Sequence, residues 1–263
     1  MTIALPARAK LNLDLAVLRR RDDGYHDIRT TMQAIDLHDL ITLKPSDQTT
    51  LTISGLPIQN TNDNSILKAL AALERATNQA LPTEIHLHKR IPAGAGMGGA
   101  SSDAATALRG LASLHHIAAD LHKIASRLGA DVPFFLSGGT AIAEKRGDDL
   151  KPIPTRHQWF ALVWPGVELL TENVYRAWDN LAHFTSDSPN HLTHAAMTIE
   201  PRLQEFANAL NSRAPGWQMT GSGSAFFRRC ATEQEAREQI ASLEGWTAVA
   251  QSVGAWAPEL PHK

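Results

Sequence analysis

The sequence predicts a two-domain α+β protein, and three observations predict it. The first half opens on a strictly alternating strand, AKLNLDLAV, and later runs a second strand, EIHLHKRI, through a glycine-rich loop into an alanine-rich helix. A polar, proline-containing stretch, KPIPTRHQ, then interrupts the pattern and places a boundary near Leu150, giving units of residues 1–150 and 151–263. Beyond it four short strands are separated by helical segments, the order expected of a second α+β layer.

In AKLNLDLAV, Leu11, Leu13, Leu15 and Val17 share one face and Lys10, Asn12 and Asp14 the other. Asp22-Asp23-Gly24 signals a turn. DLITLKP and TLTISGL read as strands, SILKALAALERATNQ as a helix, and EIHLHKRI as the strand that enters the loop. SSDAATALRGLASLHH and AADLHKIASRLG read as helices, the second ended by Gly129 as a C-terminal cap. GGTAIAEKRGDDL adds a short strand and a polar turn. In the second half WFALVW, WQMT, AFFRRC and WTAVAQSV are the strands, and ENVYRAWDNLAH, RLQEFANALN and TEQEAREQIASL the helices.

A chain of 263 residues, 43% hydrophobic and 20% charged, has the composition of an ordinary globular protein with a sizeable core. Its 25 basic and 27 acidic side chains carry no basic excess, which argues against nucleic acid as a partner. The single cysteine, Cys230, excludes an intrachain disulfide and fits a reducing compartment. Neither a secretory signal nor an apolar stretch long enough to span a membrane stands out, so a cytoplasmic location and no membrane partner are expected. His86 and His88 share a strand face, but without a third clustered ligand they read as solvent-facing histidines.

The segment IPAGAGMGGASSDAATAL raises the question of what its loop holds. A glycine-rich turn opening a helix directs unpaired N–H groups and the positive end of the helix dipole at one spot, an anion site. Gly94, Gly96 and Gly99 match the dinucleotide pattern G-x-G-x-x-G. That reading also needs an acidic residue about 20 positions on at the end of a strand. Asp120 has the distance but lies in a segment of helical period. A P-loop is excluded by the missing Gly-Lys-Ser/Thr. The plain alternative, a tight turn with a serine N-cap, does not require four glycines.

AKLNL, DGYH, IPAGAGMGGASSDAA, LGADVPFF and TGSGSAFF, in this order, resemble the GHMP small-molecule kinases over nearly the whole chain. AKLNL, DGYH and GADVPFF together narrow the resemblance to the members whose substrate carries a cytidine. Met97 and Ala100 stand where loops of that group commonly have Leu and Gly. Met keeps volume and polarity, and Ala is tolerated at negative φ.

The resemblance implies a ribosomal protein S5 domain 2-like N-terminal domain, a ferredoxin-like C-terminal domain, and a cleft between them where ATP, with Mg²⁺, phosphorylates an alcohol. Pro92, Ala93, Gly94, Ala95, Gly96, Met97, Gly98, Gly99, Ala100, Ser101 and Ser102 would hold the phosphates, with one of the serines capping the helix or reaching the metal. Asn64 and Lys89 are weaker candidates for the adenine side. Asp131 would be the general base and Lys10 its partner, an ammonium that keeps the carboxylate ionised and stabilises the reacting oxygen. Locally, Asp131 could equally be a helix N-cap before Val132-Pro133, and Lys10 a solvated lysine. Tyr25 and His26 would hold the cytosine, Tyr175 would be a second stacking aromatic or a half-buried core residue, and Asn12 a substrate hydrogen-bonder. Gly221 and Gly223 would let backbone approach the ligand or another loop. Rival readings are a homoserine- or mevalonate-class kinase, a dinucleotide-dependent oxidoreductase and a non-catalytic binding protein on the same fold. No metal ligands or oligomeric state follow from the sequence.

Overall fold

A computed structural model describes residues 2–58, 63–181 and 188–256. The first unit contains β1 (Ile3–Asn12), β2 (Ala16–Arg20), β3 (His26–Pro45), β4 (Thr50–Gly55), α1 (Ser65–Thr77), β5 (Thr83–Lys89), α2 (Gly99–Leu114), α3 (Leu121–Leu128), α4 (Phe134–Ser137), β6 (Thr140–Lys145) and β7 (Asp149–Ile153). Its strands form one seven-stranded sheet, in the order β4-β5-β3-β6-β7 with β1 and β2 also paired to β3. Only β4 and β5 run parallel. α1 buries Ile66, Ala69, Leu70 and Leu73, spacings of three and four that form one stripe, against Ile41, Leu43, Ile85 and Leu87 of the sheet.

The expected strand AKLNLDLAV is two strands, broken at residues 13–15. The pairing of β1 with β3 also slips between Arg8 and Lys10, where extra residues of β3 lie opposite Ala9. Those residues turn toward the second unit: Ile35 bridges Ser252, and the Asp36 carboxylate accepts from the Gln251 N–H at 2.9 Å. DLITLKP is only the end of the twenty-residue β3. The Asp22–Gly24 turn closes the β2–β3 hairpin, in which Arg20 pairs with His26.

The second unit contains β8 (Trp159–Trp164), α5 (Thr171–Asp179), α6 (Leu192–Ile199), α7 (Arg202–Arg213), β9 (Gln218–Met219), β10 (Phe226–Cys230), α8 (Glu233–Ile240) and β11 (Trp246–Gln251). α4 and α6 have no counterpart among the expected elements, and the last two residues of the expected helix ENVYRAWDNLAH, 182–183, lie outside the described residues. The sheet order is β11-β8-β10-β9, antiparallel throughout. WFALVW is apolar at every position because both of its faces are covered. Ala161 and Val163 pack on Val174, Leu192, Leu203 and Ala236 of the helices. Phe160 and Leu162 pack the other way, on Leu11, Ile91, Ala95 and Met97. This last cluster is the joint between the two units.

The boundary expected near Leu150 falls inside β7, which pairs with β6 through Ile153. The two sheets part over residues 154–158. The chain then returns after β11: Val253 N–H donates to Ala34 O at 2.9 Å, and the Trp256 indole donates to Leu136 O at 3.0 Å. Among the described residues no helix is long and apolar enough to cross a membrane, and no group of three or more His, Cys, Asp or Glu side chains is placed to hold a metal. His86 is exposed and His88 half-buried, and Ser54 Oγ lies 3.0 Å from His86 Nε2 and 2.9 Å from His88 Nδ1.

Candidate active site

A cleft of about 1130 Å³ runs between the units. Lys10, Asn12, Tyr25, His26, Asn64, Lys89, residues 92–101, Asp131, Tyr175 and Gly221 all line it. Ser102 and Gly223 do not. Ser102 is buried beneath the loop with its hydroxyl unpartnered among the described residues. Gly223 meets the loop from behind, where its carbonyl would lie 2.9 Å from a Cβ on Gly96.

The hydrogen bonds of the loop face one way. The carbonyls of Gly94, Ala95, Gly96 and Met97 accept from Leu169 N, Ala225 N, Lys10 Nζ and Lys10 N at 3.3, 3.0, 2.7 and 3.0 Å. Among the described residues none of the N–H groups of 93–98 donates a hydrogen bond. With the acceptors tied into the protein, the donors remain for the cleft, as an anion site requires. The glycines have a second role that composition did not reveal, which is close packing. Gly96, at φ 76°, would place a Cβ 2.3 Å from Thr220 O, and Gly98, at φ 73°, would place one 2.7 Å from the Phe135 ring.

Neither serine caps α2. The helix starts at Gly99 with left-handed Gly98 as its N-cap and no side-chain cap, so Ser101 and Ser102 are its third and fourth residues. Asp131 is not a cap either, because the N-cap of α4 is Pro133.

Lys10 is 4% exposed, far from the solvated lysine that strand alternation allows. The glycine loop of the first unit and the turn at Gly221 of the second cover this face of β1. Its ammonium donates to Gly96 O at 2.7 Å and to Asn12 Oδ1, and lies 3.8 Å from Asp131 Oδ2. Burial pulls the Lys10 pKa below the usual lysine value, and the Asp131 carboxylate offsets only part of this. Asn12 is held in turn: its Nδ2 donates to Thr30 Oγ1 at 2.8 Å and its backbone N–H to Thr220 Oγ1 at 2.9 Å. Its oxygen therefore orients Lys10 and keeps a second lone pair for a ligand. A Cβ on Gly221 would fall 3.1 Å from both Asn12 Oδ1 and Lys10 Nζ, so this turn forms the wall of the corner that holds them.

Lys89 and Asn64 are not surface residues. The Lys89 ammonium joins Asp39 and, at 2.8 Å, Asp103. Asp39 also accepts from the N–H groups of Arg90 and Ile91 at 2.5 and 2.9 Å. The triad thus ties the entry of the loop to the first turns of α2. Burial pushes the Asp103 carboxyl up, Lys89 pulls it back and Asp39 raises it again, leaving it at about 7. Asn64 caps α1, its Oδ1 accepting from Ile66 N at 2.8 Å, while its side of the helix borders the cleft.

At the other end, Tyr25 is 56% exposed with the Arg146 guanidinium 5.2 Å from its ring centroid. His26 is buried, and its imidazole stacks on Tyr175 at 4.8 Å and 25°. Tyr175 therefore already has one face occupied, and it also packs on the core of the second unit. Burial, and then the charge of Asp131, raise its phenol well above the usual tyrosine range. Sequence reasoning missed Trp178 and Asp179. They follow Tyr175 at helical spacings of three and four, a signal that was present. It missed Asp39 and Arg146 too, which are distant in sequence from what they touch.

Residues 64–139 match the family described as GHMP kinases N terminal domain. The chain is 38% identical over 271 residues to the 4-diphosphocytidyl-2-C-methyl-D-erythritol kinase of Xanthomonas oryzae pv. oryzae, covering 97% of this chain and 90% of that one. It is 33% identical over 264 residues to the same kinase of Persephonella marina, covering 92% and 96%. A crystal structure of 4-(cytidine 5'-diphospho)-2C-methyl-D-erythritol kinase superposes with a TM-score of 0.82 at 34% identity, covering 96% of this chain and 99% of that one. A homoserine kinase from Cytophaga hutchinsonii, at a TM-score of 0.67 and 18% identity over 98% and 96% of the chains, shares the fold. The chain belongs to the 4-diphosphocytidyl-2-C-methyl-D-erythritol kinases of the GHMP kinase family.

Proposed function

We propose that the protein transfers the γ-phosphoryl group of ATP to the 2-hydroxyl of 4-diphosphocytidyl-2-C-methyl-D-erythritol, a step of non-mevalonate isoprenoid precursor synthesis. The observation that carries this reading is the pairing of Lys10 with Asp131, 3.8 Å apart, beside a loop whose carbonyls from Gly94 to Met97 are each held by a hydrogen bond within the protein. The loop N–H groups and the start of α2 neutralise phosphate charge, and the acceptor hydroxyl lies between Asp131 and the γ-phosphorus. Asp131 takes its proton as the oxygen attacks, and the poorly solvated Lys10 ammonium stabilises the charge that develops there. The first unit, extended to Ile153, then carries the nucleotide. Both substrates are charged and water-soluble, which supports the cytoplasm as the place of reaction.

The cleft offers single oxygen donors and, among the described residues, no three-ligand cluster, which fits Mg²⁺ carried by the nucleotide phosphates. The Ser101 hydroxyl, lining the cleft on the first turn of α2, would hold it. When bound, the ion supplies neutralisation of phosphate charge.

An ADP-release assay with the cytidyl alcohol and with homoserine tests the reading: turnover is expected with the first alone, and a preference for homoserine overturns it. A non-hydrolysable ATP analogue is expected to slow amide exchange over residues 92–102, and an unchanged segment would remove the loop from the nucleotide site. Tyr25→Ala is expected to weaken binding of the cytidyl substrate by about 1–3 kcal/mol, the scale of one base stacked on one ring, with ATP binding unchanged. If ATP binding falls instead, the two ends of the cleft are reversed.

A further inference from the structure

The substrate end of the cleft is closed by a contact between the units that the proposed chemistry does not use. His26 begins β3 in the first unit, and Asp179 ends α5 in the second. His26 Nε2 and Asp179 Oδ1 are 2.7 Å apart, and the other carboxylate oxygen lies 3.6 Å from Nε of Arg20, the residue paired with His26 across the hairpin. α5 also supplies the flat face of Tyr175 and the edge of Trp178, 5.5 Å from the imidazole at 87°. Three side chains of one helix, at i, i+3 and i+4, thus fix the plane, position and polarity of one imidazole. His26, Tyr175 and Asp179 all line the cleft.

We infer that Asp179 is a positioning residue that acts through His26 to set the preference for cytosine over uracil. The inference rests on the cytidyl-kinase reading above. An ionised carboxylate only accepts hydrogen bonds, so in the neutral imidazole it holds the proton on Nε2 and leaves Nδ1 as a lone-pair acceptor. An acceptor suits the exocyclic amino group of cytosine. Uracil presents a carbonyl oxygen at that place, and two lone pairs would then face each other. Without Asp179 the ring is free to take the other tautomer, whose Nδ1–H suits uracil.

The test compares the full-length wild type with Asp179→Ala and Asp179→Asn. It measures kcat and KM for ATP, for the cytidyl substrate and for its uridyl analogue, together with melting temperature. Nitrogen-15 imidazole spectra are recorded as well, the His26 signal being the one lost in His26→Gln. The expected result for Ala is a fall of about tenfold in the cytidyl-to-uridyl ratio of kcat/KM, the scale of one hydrogen bond, with KM for ATP unchanged. Asn, whose amide can turn either its oxygen or its NH2 toward Nε2, no longer fixes the tautomer and is expected to give a ratio between those of the wild type and Ala. An Ala variant with the wild-type ratio overturns the inference, whatever its stability. If Ala does not fold, the wild-type spectrum decides: a proton on Nδ1 of His26 overturns the inference, and one on Nε2 upholds it. A wild type inactive on the cytidyl substrate would instead sink the functional reading, and the spectra would still report whether Asp179 sets the tautomer.

Discussion

Asp131→Asn is expected to lower turnover by about 100- to 10,000-fold, the range of a general base, while ATP and the cytidyl substrate still bind and the melting temperature holds. The separation is clean because the carboxylate carries little of the fold. It caps no helix, and although Lys10 is buried, the Asp131 side chain is 32% exposed and its oxygen lies 3.8 Å from the ammonium, so solvent screens the pair. Lys10→Met also lowers turnover, but it additionally leaves Gly96 O and Asn12 Oδ1 without their buried donor and so lowers stability. If the two groups act on one hydroxyl, the double variant is scarcely slower than the worse single one. Turnover and melting temperature measured on the same preparations check this, and near wild-type turnover in the Asn variant would remove Asp131 from the mechanism.

The second large effect is structural. Lys89→Met removes the cation from a buried cluster and leaves Asp39 and Asp103 facing each other beneath the glycine loop. Breaking a buried pair in this way costs about 3–5 kcal/mol, a drop in melting temperature on the order of 10 °C for a chain of this size. The loss depends on pH in a definite direction. Asp103 is raised to about 7 in the folded protein, so its contribution to stability is present below the usual carboxylate pKa and lost as pH rises through about 7. Removing Lys89 withdraws the charge that pulls the Asp103 carboxyl down and raises it further. Melting at about pH 6 and about pH 8 is therefore expected to show the larger loss at the higher pH. Equal losses at both would mean that the carboxylates are not coupled through Lys89.

Much of the site was legible because it is local. The turn from period two to helical period across residues 84–114 requires a strand, a loop and a helix, whatever the rest of the chain does. Gly94 to Ser101 accordingly line the cleft as expected. DGYH was legible as a turn because Gly24, at φ 82°, closes a hairpin that its own neighbours define. The errors cluster where a second element decides. Ser101 and Ser102 look like caps because serine caps well, but Gly98 takes that place in a left-handed conformation that brings it against Phe135. Lys89 looks like a surface residue because its partners Asp39 and Asp103 are distant in sequence, whereas Asn64 is held by the helix it precedes, a cap whose signal was present in the sequence. β7 was cut by the expected boundary because Lys151 and Pro152 read as a polar break, whereas their backbone pairs with β6.

By itself the sequence determined most of the strands and helices in their order, though not α4, α6 or β7, together with the glycine loop before α2 and the family, since each depends on residues within a few turns of one another or on motif order. Only the tertiary structure decided that Lys10 is buried, that Asp131 stands beside it, that Lys89 is locked between two carboxylates and that His26 is held by Asp179. Strand alternation tells which side chains share a face, but it does not tell what covers that face. In this protein the glycine loop, which reaches Lys10 from Gly96, and the turn at Thr220 and Gly221 cover the polar face of β1, so side chains that alternation assigns to water are buried at the cleft.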